Sequence, residues 1–317
     1  MEDKYLFVSD EINLSNIASF SSEQSHIEEQ RICELAEIAK QAAIFSKKIL
    51  DDGMSLYEAL YILAEALDFD DAVDLQSAVL ENGKRLSKFN RMVSSMDKSV
   101  FCGLLFEYFS LLGAPISEDL FLTGKPRDEL FTYVKNVYAD EAYDVFSQEF
   151  SDPKVFYSGS FKEALKQVSD NHFTYCLLPI EERGARIPSV DELIFRGDYK
   201  INAVIPVFGY DGSADLKYAL VSKNLYFIAP QSDDDRYFEF KIPVDSDLNI
   251  SEVMLCSEEL GCSVYRVNTQ TFDTEEGKKT YFSVVLKDIG EDFSKLFIYL
   301  TLFATEHIPV GIYKNLE

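Results

Sequence analysis

Residues Tyr237–Val244 read YFEFKIPV, a strand that opens a regular succession of elements. A helical pattern follows in SEVMLCSEELG (Ser251–Gly261), then a strand in VYRVNTQTF (Val264–Phe272). The hairpin signal DTEEGKK (Asp273–Lys279) leads into the strand TYFSVVLK (Thr280–Lys287). The helix FSKLFIYLTLFATE (Phe293–Glu306) and the strand VGIYKN (Val310–Asn315) close the series. The order is βαββαβ, the ferredoxin-like arrangement, and clean alternation of polar and apolar residues supports it. This places a domain over 236–317.

Upstream, strands and helices alternate. LFTYV (Leu130–Val134) reads as a strand, DEAYDVFSQEF (Asp140–Phe150) as a helix and KVFYSG (Lys154–Gly159) as a second strand. SFKEALKQVSDN (Ser160–Asn171) is a helix with a serine cap, and FTYCLLPI (Phe173–Ile180) is a buried strand. SVDELIF (Ser189–Phe195) is a short helix; INAVIPVFG (Ile201–Gly209) and LKYALVSK (Leu216–Lys223) are further strands. Such alternation predicts an α/β sheet over 128–230.

The front of the chain, 1–120, reads as helices. Ile32, Leu35, Ala36, Ala39, Ala42 and Ala43 share one helical face, and Gly53 ends that helix. Ser55 and Glu58 make a capping box for a helix burying Leu56, Leu60, Ile62 and Leu63. Asp70–Leu80 is a further helix. Val100–Leu112, VFCGLLFEYFSLL, is apolar all round, so it is expected to be central and to pack on the α/β lobe as well. Pro115, Gly124 and Pro126 mark a linker.

The 317 residues carry 30 basic and 55 acidic side chains, a net charge of −25. That field repels phosphate backbones and anionic lipid, so neither nucleic acid nor a membrane surface is an expected partner. No run approaches a membrane span, and MEDKYLFVSDEINLSNIASF does not read as a signal peptide. The five cysteines are scattered, as buried thiols of a cytoplasmic protein would be. Three distant histidines give no metal-ligand spacing, and no cofactor motif is present.

The segment SFKEALKQVSDNHFTYCLLPIE resembles the part of prephenate dehydratases in which a capped helix leads into a strand ending Leu-Pro-Ile-Glu-Asn. RYFEFKIPV is similar to the first strand of the ACT domain that follows in those enzymes, and PVGIYKN to its closing Val-Leu-Gly-Ser-Tyr-Pro. The resemblance covers about residues 130–317. It implies α/β plus α+β architecture: the helical front, a periplasmic-binding-protein-like α/β lobe, and a ferredoxin-like ACT domain. A chorismate mutase domain occupies the front of bifunctional members, but its basic-residue pattern is not visible here.

Set against that family, the chain departs at its chemistry. The reaction expels carbon dioxide and water from prephenate, and the family's proton donor is the threonine of a Thr-Arg-Phe motif. Leu216 stands at that position, Lys217 at the arginine and Tyr218 at the phenylalanine. Leucine donates no proton, and lysine lacks the guanidinium fork. In the Pro-Ile-Glu-Asn turn Glu181 is kept, Glu182 replaces the amide, and Arg183 and Gly184 follow. The family's glycine-rich loop is reduced to KNVYA (Lys135–Ala139). Its second lobe would lie between INAVIPV and the Thr-Arg-Phe strand, where only Phe208–Tyr210 stand; a lobe needs at least ~50 residues. The lobe is therefore truncated.

The candidate substrate-binding residues are Glu181, Glu182, Arg183 and Lys217. The two glutamates read either as an acid–base pair or as a solvated turn. Arg183, Arg186 and Arg196 read either as an anion clamp or as internal salt bridges, and Cys176 reads as core. The family's phenylalanine-binding motifs align with Leu248-Asn249-Ile250 and Asn268-Thr269-Gln270-Thr271. Asn249, Asn268 and Gln270 are therefore the candidate effector-binding residues, for a small amino acid, or else an ordinary polar rim. The expected function is a non-catalytic homologue with a regulatory or small-molecule-binding ACT-like domain, forming a homodimer through it. The alternative is an active enzyme of phenylalanine biosynthesis, of prephenate dehydratase or chorismate mutase type, using other residues.

Overall fold

The computed structural model describes residues 25–68, 95–116, 126, 128–208, 216–226, 236–246, 249–274, 277–287 and 293–314. Among them are eight α-helices and ten strands. The helix expected over Asp70–Leu80 lies outside the described residues. The chain divides into two compact units, and neither is continuous in sequence. One comprises Met1–Leu120, Asp247–Gly261 and Glu291–Glu306; the other comprises Phe121–Ser246, Cys262–Gly290 and His307–Glu317. These units differ from the three successive segments read from the sequence.

The first unit holds α1 (Ser25–Asp51), α2 (Leu56–Asp68) and α3 (Ser95–Leu111), with α7 (Ile250–Glu259) and α8 (Phe293–Phe303) from the βαββαβ segment. Ala39, Ala42 and Ala43 on α1 are fully buried, and small side chains there let a neighbouring helix approach closely. Gly53, at φ +92°, turns the chain after α1. The capping box forms as expected: Glu58 N–H donates to Ser55 Oγ at 3.2 Å, and Ser55 N–H donates to Glu58 Oε2 at 2.9 Å. Leu56, Leu60 and Leu63 are buried, and Ile62 is half-buried.

The apolar helix α3 buries Phe101, Leu104, Leu105 and Phe109, while Leu111 is exposed. The sequence expectation set the α/β lobe beside it. Its neighbours inside the unit are α1, α7 and α8, the last two coming from the ferredoxin-like segment. Phe101 meets Phe303 edge-on at 6.3 Å, and Lys98 pairs with Glu252. A single amphipathic stripe cannot bury so many apolar groups, so partners are drawn from distant sequence.

The second unit is built on one sheet. Its strands are β1 (Leu130–Tyr133), β2 (Lys154–Tyr157), β3 (Tyr175–Glu182), β4 (Ala185–Arg186), β5 (Lys200–Val207), β6 (Leu216–Ser222), β7 (Arg236–Pro243), β8 (Ser263–Thr274), β9 (Gly277–Lys287) and β10 (Ile308–Lys314). The order is β2-β1-β3-β6-β5-β10-β7-β9-β8, with β4 on β3. Helices α4 (Val137–Phe146), α5 (Phe161–Ser169) and α6 (Pro188–Arg196) complete the unit. Along β3 the side chains alternate between two cores. Tyr175 and Leu177 join the cluster around Ala142 and Phe146 of α4. Cys176, Leu178 and Ile180 join the cluster around Leu165 of α5 and Ile194 of α6. Both faces are covered, which is why FTYCLLPI reads as a continuous apolar run.

The segment β10-β7-β9-β8 has the strand order of a ferredoxin-like sheet, antiparallel throughout. The sequence reading separates it from the α/β lobe, but their strands form one sheet, because β10 pairs in parallel with β5 at Gly311 and Ile201. The β10 edge of the ferredoxin-like strands is therefore occupied. A Cβ on Gly311 would lie 2.6 Å from the Ile201 carbonyl oxygen, so only glycine allows this approach.

Candidate functional site

The buried strand β3 ends on Glu181, itself only 5% exposed. Arg183 and Gly184, with φ of 49° and 78°, form a two-residue hairpin turn. The turn sends the chain back as β4 and sets Arg186 opposite Glu181. On the other side of β3, register sets Lys217 of β6 opposite Glu181. Helix α6 supplies Asp191, and the ferredoxin-like strands supply Glu239 and Lys241 from β7, Arg266 and Gln270 from β8, and Tyr313 from β10.

These groups form one network, in which the side chains of Glu181, Arg186, Glu239 and Lys241 are buried and Lys217, Arg266 and Gln270 are half-buried. Glu181 accepts from Arg266 Nη1 at 2.8 Å and from Lys217 Nζ at 3.1 Å, with Arg186 Nε at 3.6 Å. Arg186 is paired with Glu239 and lies 3.8 Å from Asp191 Oδ1. Tyr313 donates to Glu239 Oε2 at 3.1 Å. Deeper in, Lys241 donates to Gln270, whose amide donates to Asp191. The Lys241 ammonium lies 4.7 Å from the centre of the Phe272 ring and 5.6 Å from that of Phe195, a cation–π seat. Phe195 and Phe272 themselves stack at 4.2 Å.

Electrostatics fix the protonation states. Burial pushes the Glu181 carboxyl up, but Arg266, Arg186 and Lys217 together outweigh it and hold the group below the ordinary carboxylate range. Burial works against the Arg186 charge as well, yet Glu239, Asp191 and Glu181 hold it protonated. The Lys241 ammonium is lowered by burial, against the pull of Asp191 and Glu239. Glu181 is thus a bound carboxylate, with no proton to give near neutral pH.

A small pocket opens beside Glu181, lined also by Lys217, Arg266, Tyr237, Tyr265 and Tyr313. It encloses about 10 Å³, room for one water molecule. Leu216, which the sequence reading sets at the donor position of the resembled family, is half-buried and paired with Glu182 and Val207.

Of the residues singled out in the sequence, Glu181, Arg186 and Lys217 come together, Arg186 in the internal salt bridges that are one reading of it. Glu182 and Arg183 are exposed on the hairpin turn. Asn249 belongs to the helical unit, where it caps α7 by accepting from Ser251 N–H at 3.0 Å. Asn268 is exposed on β8, and Gln270 is engaged with Lys241 and Asp191. Arg196 pairs with Glu192 at 2.7 Å. Cys176 is core, its thiol pushed up by burial. Sequence reasoning missed Asp191, Glu239, Lys241, Arg266 and Tyr313. A signal for two of them was present: Glu239 and Lys241 interrupt the apolar strand YFEFKIPV two residues apart, on one face. Among the described residues no group of His, Cys, Asp and Glu could hold a metal ion, and no helix is long and apolar enough to cross a membrane.

No protein-family model matches the chain, and no curated protein does. Solved structures give distant likenesses of fold. One is the prephenate dehydratase of Streptococcus mutans, with a TM-score of 0.46 at 12% identity, covering 60% of this chain and 100% of that one. A second is GqqA, described as a quorum-quenching acylase, with a TM-score of 0.44 at 14% identity over 60% of this chain and 96% of that one. A third is the prephenate dehydratase of Arthrobacter aurescens in complex with L-Phe, with a TM-score of 0.41 at 11% identity over 59% and 90%.

Proposed function

We propose that the chain is a divergent, non-catalytic homologue of the prephenate dehydratases, a regulatory or small-molecule-binding protein of aromatic amino-acid metabolism. One observation carries the reading. Glu181, the carboxylate kept from the family's turn, is held by three cations, and one of them, Arg266, reaches it from the ferredoxin-like strand β8. A carboxylate so neutralised neither donates a proton nor remains free to orient a dianionic substrate. Leu216 at the donor position and a one-water pocket support the same reading. Purified protein incubated with prephenate should form phenylpyruvate no faster than buffer does. Turnover that disappears in Glu181→Gln would overturn the proposal.

The same reading includes a homodimer. With β10 joined to β5, strand β8 ends the described sheet and supports an edge-to-edge contact between two copies. Light scattering on the full chain should give twice the monomer mass of 36.1 kDa. A monomer at high concentration would count against assembly through this strand.

A further inference from the structure

We infer that the pocket beside Glu181 is a binding site for a small monovalent anion of halide size. Charge balance is the first argument. Arg186 has its own carboxylates in Glu239 and Asp191, so Lys217 and Arg266 share Glu181 alone. The pocket lining therefore carries two cations and one anion, in a protein whose net charge is −25. Donor capacity is the second. An arginine has five N–H donors and a lysine three, and the contacts to Glu181 use one nitrogen of each side chain, so neither residue's donor capacity is exhausted.

Size and setting select the ligand. The enclosed space suits one water-sized particle, a volume that a chloride ion fills and that a phosphate ester or an aromatic acid would overrun into solvent. Lys217 and Arg266 side chains are 30% and 21% exposed, so an ion has a route in from solvent while remaining largely desolvated. Tyr237 sits edge-on to Tyr265 at 5.2 Å and stacks on Tyr313 at 5.8 Å. That aromatic wall lowers the local dielectric, which strengthens the attraction between an anion and the two cations.

The inference rests on Glu181 being an ion-pair partner, and its test reads the ion rather than turnover. In chloride NMR the ³⁵Cl line should broaden with protein, saturate, and be relieved by bromide. Lys217→Met should weaken the effect about tenfold, whereas exposed Lys162→Met should not. Crystals of the unaltered protein in bromide should show an anomalous peak between Lys217 Nζ and Arg266. A water there, or broadening that never saturates or is untouched by Lys217→Met, would sink the idea whatever prephenate does. Conversely, prephenate turnover would remove the non-catalytic reading with the halide peak still present.

Discussion

The helical unit and the sheet unit bury different chemistry. Among the described residues, every buried polar side chain of the helical unit is a hydroxyl: Ser46, Ser99, Ser257, Ser294 and Thr301. The sheet unit buries Glu181, Asp191, Arg236, Glu239 and Lys241. Apolar packing is non-directional and degrades gradually when a side chain is shortened. A buried ion network is directional, and removing one member leaves the others charged in a poor solvent. The same chain thus contains one unit whose core answers to lost volume and one whose core answers to lost charge.

The comparison can be broken most sharply at Arg186. Arg186→Met leaves Glu239, Asp191 and Glu181 buried beside too few cations, and should cost about 3–5 kcal/mol. Urea unfolding measures the loss, and hydrogen exchange should locate it in β3, β4 and β7. A loss under 1 kcal/mol would mean the network is not held as tightly as described. In the helical unit, Leu105→Ala removes a fully buried side chain and should cost about 3 kcal/mol. That cost should be the same at pH 7 and pH 5, because the group removed carries no charge; a strongly pH-dependent value would erase the contrast.

The smallest effect expected is acid sensitivity confined to the sheet unit. The folded Glu181 titrates below its ordinary value of 4.5, so its contribution is complete above that pH and is lost as pH falls through the folded value. Melting curves between pH 6 and 3 should show the loss, reduced in Glu181→Gln. An acid response unchanged by that substitution would assign it to other carboxylates.

Much of the fold is legible from local rules. Ser55 with Glu58, Ser160 before α5, and the alternation in the βαββαβ segment each name their element, because caps and periodicity act within a few residues. What is not legible is partnership. α7 and α8 show apolar faces without saying that α3 covers them, and PVGIYK shows a strand without saying that β5 lies beside Gly311. Such choices depend on which surfaces remain open after everything else has packed. The site follows the same rule. Glu181 and Lys217 were found through a motif, whereas Arg266 reaches Glu181 only because the two sheets are one. Leu216 and Glu182 could be read as departures, yet the ion pairs that neutralise Glu181 belong to tertiary structure.

The junction between β5 and β10 also sets a schedule for synthesis. Ile201 leaves the ribosome roughly a hundred residues before Gly311, the partner that covers its edge. At ~5–20 residues per second, that strand, paired with β6 on one side, waits about 5–20 s with the backbone groups of its other side unpaired. Throughout the delay the nascent chain carries an apolar β-edge able to recruit any extended neighbour, so the demand for chaperone protection should be greatest in that interval and end when the glycine arrives.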